Sequence, residues 1–327
     1  MIRLFGFLAV VLAAAAAGYA ALGRWQPAPP PPLEPQVAHA RPFAADPGLK
    51  LAPRFSPDGR FVAFALAEGD DSRIVVQATD GSSRRFIGSG DGVRVSPVFF
   101  PDGHRIAYWQ AADDGGCGIF ERDLASGAER RLLDCTMLPR VRFDIAPDGR
   151  TLVFTGSSSP DAKAGLWLLA LNGSAPRLLT MPPDAAGDDL HPRFSPDGHE
   201  VAFFRGREGV RQPWIVSVDP PQPPRPAGRE CGRCYGLAWL RDRPELLVAA
   251  DWYGQPGLRA VAEDGRTRTV GAGEVRFPDA SVRGDLVYEL ARAGSPRDAS
   301  PRSRLAEASN IVSATGPTRI DLVIAPR

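Results

Sequence analysis

The sequence has almost no net charge and almost no lysine. Its 39 basic residues are balanced by 38 acidic ones, and only Lys50 and Lys163 of the basic residues are lysines. A net charge of +1 provides no overall field that would attract nucleic acid or an acidic surface. We therefore expect no nucleic-acid contact by this chain. A hydrophobic content of 43% also excludes a chain that is disordered throughout.

Patterns that define catalytic sites are missing as well. The sequence has no Gly-x-Ser-x-Gly nucleophile elbow, and its four histidines are scattered, with no triad or carboxylate pair at a defined spacing. We predict a protein that is not an enzyme and that has no cofactor and no metal site. His191 follows Asp188-Asp189 in a loop, where an exposed loop residue is favoured over a metal ligand.

One long uncharged run stands at the start of the chain. It extends over the 20 residues from Leu4 to Gly23, about the length that crosses a bilayer core. We predict a signal anchor or signal peptide over residues 1–25 and a stiff Pro-rich linker over 26–40. The favoured interpretation is an uncleaved N-terminal helix in the inner membrane, with the rest of the chain in the periplasm. The alternative is cleavage near Ala20 and secretion to the periplasm.

After residue 40 the chain consists of six repeats of about 45 residues. Four copies carry a clear Pro-Asp-Gly between two apolar segments, and weaker copies follow around Asp242 and Gly284. We expect the aspartates and glycines of this motif to be structural turn residues, since Asp caps turn amides and Gly accepts a positive φ. These turn residues are Asp58, Gly59, Asp102, Gly103, Asp148, Gly149, Asp197 and Gly198.

The interior of each repeat predicts four strands. The Pro-Asp-Gly turn joins a first pair, and a second hairpin follows with Asx-Gly or Ser-Gly at its tip, as at Asp80-Gly81 and Asn172-Gly173. Four strands repeated six times indicate an all-β fold, a six-bladed β-propeller over residues 41–327 that is preceded by the apolar helix. Two segments compete for the outermost strand of the last blade, 40–44 and 319–324, and we favour the C-terminal one.

The four cysteines form two candidate disulfides. Cys117 and Cys135 flank a hairpin that turns at Ser126-Gly127, so they lie opposite or diagonal across paired strands. Cys231 and Cys234 enclose a small loop, for which a disulfide, a redox-active pair and two free thiols are the alternatives.

The Ser-Pro-Asp-Gly-x-x-Val-Ala-Phe unit resembles the WD-like repeat of TolB, the periplasmic propeller protein of the Tol system. The resemblance covers about residues 41–327. Similar repeats occur in the non-catalytic propellers of prolyl oligopeptidase-like and tricorn-like peptidases. The order of anchor, linker and propeller resembles the extracytoplasmic half of membrane-bound winged-helix regulators. TolB has an α/β domain before its propeller, and the peptidases carry a hydrolase domain; we expect neither in this chain. We also expect it to lack the DNA-binding domain of the regulators.

The resemblance implies a non-enzymatic, membrane-tethered periplasmic scaffold that binds protein or peptide partners through the loops between blades. The alternative is a ligand-sensing extracytoplasmic module of a membrane regulator that lacks its DNA-binding domain. The predicted partner-binding residues are Arg54, Arg94, Arg142, Asp189, His191, Arg193, Arg233 and Tyr235.

Each innermost strand contributes one residue to a set of six equivalent positions, and the set includes two arginines and two aspartates. We weigh a mixed-charge ring at the channel mouth against pairing of these residues between blades, and we favour the pairing. The six positions are Arg54, Val98, Asp144, Arg193, Ala238 and Asp279.

Overall fold

A computed structural model describes residues 39–44, 47–69, 71–88, 92–111, 116–135, 142–159, 162–293 and 318–326. These residues are all β, without an α-helix. Within the same ranges, no helix is long and apolar enough to span a membrane. The predicted signal helix, and the linker as far as residue 38, lie outside the described residues.

The strands form six four-stranded antiparallel sheets, which are the six predicted blades. The first three blades contain β2 (Leu49–Phe55), β3 (Phe61–Glu68), β4 (Asp71–Ala78), β5 (Arg84–Ile87), β6 (Val93–Phe99), β7 (Arg105–Ala111), β8 (Cys117–Asp123), β9 (Glu129–Asp134), β10 (Phe143–Ile145), β11 (Thr151–Gly156), β12 (Gly165–Ala170) and β13 (Arg177–Thr180). The other three contain β14 (Asp188–Phe194), β15 (Glu200–Arg207), β16 (Val210–Ser217), β17 (Arg225–Pro226), β18 (Cys234–Trp239), β19 (Glu245–Asp251), β20 (Pro256–Ala262), β21 (Thr267–Ala272), β22 (Glu274–Ala280), β23 (Leu286–Ala293), β24 (Thr318–Ala325) and β1 (Arg41–Pro42).

The first strand of each blade faces a common axis. The strands β2, β6, β10, β14, β18 and β22 contact one another in that order, and β22 contacts β2, so the ring is closed. The six-bladed propeller that the repeats predict is therefore confirmed.

The Pro-Asp-Gly turns join the first and second strands of four blades. In the turn after β14, the carboxylate of Asp197 accepts hydrogen bonds from the Ser195 hydroxyl (2.6 Å) and the His199 amide (3.1 Å). These two donors hold the pKa of Asp197 below its ordinary value. Gly198 follows at a φ of 78°, in the left-handed region that glycine enters without steric cost.

An aromatic or apolar side chain at one position of every second strand fills the space between neighbouring blades. Packing of this position explains why the repeat keeps a large apolar residue after its turn, because full burial of such a side chain contributes about 1.5–3 kcal/mol. The side chains at this position, each at most 2% exposed, are Phe64, Tyr108, Phe154, Phe203, Val248 and Tyr288.

The last blade is closed by the N-terminal segment, and our preference for the C-terminal strand as the outermost one is wrong. Strand β24 is the third strand, because it pairs with β23 over eight positions. Its other edge pairs with β1, with Arg41 opposite Ile324, and the Phe43 amide donates to the Leu322 carbonyl (2.8 Å).

Both predicted disulfides are present. Gly118 lies opposite Asp134 in the register of β8 and β9, which places Cys117 opposite Cys135 with a Cα–Cα distance of 5.6 Å. Cys231 and Cys234 close the small loop at the start of β18, with a Cα–Cα distance of 6.0 Å. Both distances lie in the normal range for disulfides.

Candidate functional site

The channel between the innermost strands is shaped by a repeated β-bulge. In β2, β6, β14 and β22 the register with the second strand of the blade shifts just before the positions of Arg54, Val98, Arg193 and Asp279, respectively. In each of these strands the bulge contains a non-glycine residue at a φ between 43° and 58°, followed by a proline. Bulges re-aim side chains, and here the four bulge residues all line the centre of the channel. The residues with positive φ are Ala52, Ser96, His191 and Phe277.

The sequence analysis missed this bulge, although proline inside a strand is its signal. Proline cannot donate a ladder hydrogen bond, so it marks an edge or a bulge. Four copies of the repeat share a proline directly after the residue with positive φ, as in Ala52-Pro53 and His191-Pro192.

At the level of the bulges the channel is nearly filled by side chains. The Arg142 guanidinium lies 4.0 Å above the Phe277 ring centroid, and its Nη1 donates to the Ser96 hydroxyl (3.0 Å). On the same ring, His191 stacks with 5.7 Å between centroids and an interplanar angle of 7°. A cavity of about 40 Å³ remains, lined by residues from all six blades. Burial lowers the pKa of Arg142 to about 10.

A buried carboxyl group lies beside this constriction. Glu289, on β23, is 1% exposed, and its Oε1 accepts a hydrogen bond from the Ala52 amide (2.6 Å). Burial raises the pKa of Glu289 to about 7, although that hydrogen bond and the charges of Arg276 and Arg142 act in the opposite direction. We did not predict Glu289 as a site residue, and its only sequence signal is a carboxylate that interrupts the run of apolar residues from Leu286 to Ala291.

The charged positions of the innermost strands form two ion pairs that connect non-adjacent blades. Arg54 of the first blade pairs with Asp144 of the third, and Arg193 of the fourth pairs with Asp279 of the sixth. The four residues line the channel and pair with each other, as in the alternative that we favoured.

Each aspartate also bonds to the backbone of a further blade. Asp144 Oδ2 accepts from the Phe194 amide (2.9 Å), and Asp279 Oδ2 accepts from the Phe55 amide (2.8 Å). The pairs are therefore related by a pseudo-twofold axis along the channel, with each aspartate joining three blades. Burial raises the pKa of Asp144.

A larger cavity, of about 220 Å³, opens on the side of the Pro-Asp-Gly turns. It is lined by the two ion pairs, by the buried Trp239 and by the exposed Arg241. The Trp239 indole Nε1 donates to the Arg193 carbonyl (3.0 Å), which fixes the ring. The cavity combines fixed charges of both signs with an aromatic wall, a lining suited to a small polar molecule.

The other predicted partner-binding residues do not gather at one place. Asp189 is fully buried, where it accepts two hydrogen bonds from Arg205 (2.7 and 2.8 Å) and one from the Thr180 hydroxyl (2.6 Å). Arg94 is half-buried between the first two blades and donates to Gln110 (2.9 Å).

The remaining two residues, Arg233 and Tyr235, share the loop that enters the fifth blade. Arg233 is exposed, whereas Tyr235 is half-buried under the guanidinium of Arg276, 5.0 Å from its ring centroid. Burial raises the pKa of the Tyr235 hydroxyl. In the described part of the chain, no three His, Cys, Asp or Glu residues are grouped so that they could hold a metal ion.

Closure by β1 and the six four-stranded blades around the channel define a closed six-bladed β-propeller. Residues 36–181, less than half of the chain, match the sequence family described as TolB beta propeller domain. The similarity to solved structures covers a larger part of the chain than this family match does. The sequence identities are low, so this similarity shows the fold alone.

Two of these structures are TolB proteins. TolB from Acinetobacter baumannii is 19% identical with a TM-score of 0.62, and the match covers 72% of this chain and 58% of that protein. A putative TolB from Agrobacterium tumefaciens is 18% identical with a TM-score of 0.60, covering 88% of this chain and 94% of that one. The chain thus spans little more than half the length of the first TolB.

An enzyme shares the fold too. An oligogalacturonate lyase, solved in complex with manganese, is 13% identical with a TM-score of 0.55, and the match covers 84% of this chain and 76% of the lyase. The fold by itself therefore does not decide between binding and catalysis.

Proposed function

We propose that this protein is a non-enzymatic scaffold that binds protein or peptide partners on the face formed by the loops between blades. The observation that carries the proposal is the pairing inside the channel. Arg54 and Arg193, two of the charged residues that line the channel, are each paired with an aspartate from another blade. The exposed functional groups near the inter-blade loops, such as Arg233, remain available to a partner. The likeness to TolB propellers is compatible with this role.

We further propose that the propeller lies in the periplasm and is tethered to the inner membrane by residues 1–25. Two disulfides support an oxidising compartment, because they rarely persist in the cytosol. The 20-residue uncharged run supports the tether. Fractionation of cells that express the full chain, with thiol labelling before and after reduction, tests this location. Membrane-bound protein whose four cysteines label only after reduction is expected, and soluble protein with free thiols contradicts both the tether and the compartment.

The binding role is tested with the full chain, purified in mild detergent and immobilised. A phage-displayed library of random 12-residue peptides is selected on it, and selection on urea-unfolded protein is the control. A scaffold for peptide segments enriches a sequence pool that binds only the folded protein. If no pool is enriched over the unfolded control, the proposed function is wrong.

The cavity of about 220 Å³ favours a second candidate, the ligand-sensing extracytoplasmic module of a membrane regulator. Native mass spectrometry of the purified full chain tests for a bound small molecule. Trp239→Phe is the matched variant, since it keeps an aromatic wall and loses the indole donor to the Arg193 carbonyl. A bound mass that is retained by the parent protein and weakened in this variant is expected for a sensor. Absence of any bound mass in both proteins removes this candidate.

A further inference from the structure

The mouth of the cavity on the turn side is a ring of apolar side chains that contains one cation. The ring is formed by the proline position of the repeated Pro-Asp-Gly motif, which Arg241 fills in the fifth blade and Val282 in the sixth. Among the described residues that line the cavity, Arg241 is thus the only charged member of the ring. The ring residues that line the cavity, all of them exposed, are Pro57, Pro101, Pro147, Arg241 and Val282.

The charge of Arg241 is not neutralised by a neighbour. Within the described part of the chain its side chain has no ion-pair or hydrogen-bond partner. The charge nevertheless acts on the channel: burial raises the pKa of Asp144, and the positive charges of Arg54 and Arg241 oppose that rise. Arg241 therefore adds an unpaired positive charge to the cavity wall.

The carboxylates around the mouth are held by their own turns, and none of these turn aspartates is among the residues that line the cavity. Asp242 follows Arg241 in the sequence, but its carboxylate pairs with Arg243 (2.8 Å). The other turn carboxylates have partners of the same kind: Asp58 with Arg60 (3.8 Å), Asp102 with Arg105 (2.7 Å), Asp148 with the Arg150 amide (2.8 Å), Asp197 with the Ser195 hydroxyl (2.6 Å) and Asp285 with Arg283 (3.5 Å).

Inside the mouth, the two ion pairs leave hydrogen-bond donors available rather than acceptors. Arg54 and Arg193 each donate one Nη2 to an aspartate and make no other side-chain hydrogen bond to the described residues. A guanidinium has five N–H donors and no acceptor, so most of their donors remain available. Both oxygens of Asp144 and of Asp279 already accept, one from an arginine and one from a backbone amide. With three guanidinium groups and two carboxylates, the charged lining is complementary to a single negative charge.

The size and the apolar part of the wall define the rest of the ligand. The volume of about 220 Å³ holds several water molecules, each of which occupies about 30 Å³ in the liquid, or one organic molecule of the size of benzoate. Phe99, Phe194 and Trp239 line the cavity together with the apolar ring at its mouth. An inorganic anion would leave this apolar surface uncovered, so the lining favours an organic anion.

We propose that this cavity binds a small organic carboxylate with one negative charge and a short apolar body. The carboxylate accepts hydrogen bonds from Arg241 and from the available donors of Arg54 and Arg193, because a guanidinium matches the geometry of a carboxylate. The apolar body contacts the prolines of the ring. The inference rests on the second candidate function and names the chemical class of its ligand, whereas the scaffold function does not depend on it.

The test is isothermal titration calorimetry of the full chain in mild detergent. The probes are benzoate and hexanoate, each compared with its uncharged amide, and a short peptide that ends in a phenylalanine carboxylate. Arg241→Gln removes the unpaired charge. Arg150→Gln is the matched control, because Arg150 is an exposed arginine on a turn of the same face that does not line this cavity. Circular dichroism and thermal unfolding check that both variants are folded.

We expect at least one acid to bind, and its amide to bind at least about tenfold more weakly. Arg241→Gln should weaken binding of the acid at least about tenfold, and Arg150→Gln should leave it unchanged. An acid that binds no more tightly than its amide, or equally well to Arg241→Gln, overturns this inference. The sensor candidate then still stands, since it depends on the bound mass in native mass spectrometry.

Two further outcomes also contradict the proposal. If neither acid binds at millimolar concentration, the cavity is not a carboxylate site. If the peptide binds more tightly than both acids, the carboxylate belongs to the end of a protein chain and the small-molecule ligand is wrong.

Discussion

Removal of one channel aspartate tests whether the two ion pairs hold the blades together. Asp279→Ala leaves the Arg193 guanidinium, whose side chain is only 16% exposed, without its partner, and it leaves the Phe55 amide without its acceptor. Breaking a buried pair costs about 3–5 kcal/mol, and an unsatisfied buried amide accounts for about 1–3 kcal/mol of such losses. Since the channel gives Arg193 some access to water, we expect the lower end, a loss of about 3 kcal/mol in the free energy of unfolding.

The assay is urea unfolding of the full chain in mild detergent, followed in parallel by circular dichroism and tryptophan fluorescence. Glu68→Ala is the control, because the Arg73–Glu68 pair (3.2 Å) has side chains that are 42% and 50% exposed, and such a pair contributes less than about 1 kcal/mol. By the pseudo-twofold relation, Asp144→Ala should cost about as much as Asp279→Ala. If Asp279→Ala is no more damaging than Glu68→Ala, the reasoning about the channel is wrong.

Three further predictions concern the channel wall and the outer blades. Because the pKa of Glu289 is raised from 4.5 to about 7 in the folded protein, its folded state holds the proton more tightly, so stability falls as the pH rises from about 4.5 to about 7. Across that window the difference in unfolding free energy between the parent and Glu289→Gln should change by about 3 kcal/mol, and a flat difference contradicts the burial argument. Replacing Cys117 and Cys135 together by serine should cost about 3 kcal/mol, measured by thermal unfolding, whereas an unchanged midpoint argues against the disulfide. Ala52→Gly should be neutral or stabilising by up to about 1 kcal/mol because Ala52 has a φ of 53°, while Ala63→Gly in β3 should destabilise, and equal losses in urea unfolding refute the strain.

Repetition made most of the fold predictable. The Pro-Asp-Gly and Asx-Gly turns recur at a fixed spacing, and each turn chemistry specifies which strands it joins. The register of the Cys117 hairpin follows from the same local geometry, so its disulfide could be placed by counting residues from the turn. These features depend on contacts between neighbours in the sequence.

Features that depend on contacts between distant blades were harder to predict. Position in the repeat identified Arg54 and Asp279 as channel residues, but not which residue each one would pair with, because that depends on the diameter of the ring. The residues around Asp189 are typical of an exposed loop, yet the side chain is buried, where Arg205 of the adjacent strand donates hydrogen bonds to it. Tyr253 has no distinguishing pattern in the sequence, and only the structure shows its φ of 57° and its exposed fraction of 71%.

The closure by β1 has a consequence for how the chain completes its folding. Arg41 is among the first propeller residues to be synthesised, and its partner Ile324 is among the last. The first five blades draw all their strands from contiguous stretches of chain, but the sixth needs both ends at once. A chain that stops before β24 would therefore leave one edge of β23 without a partner strand, and an unpaired edge of this kind can pair with other chains.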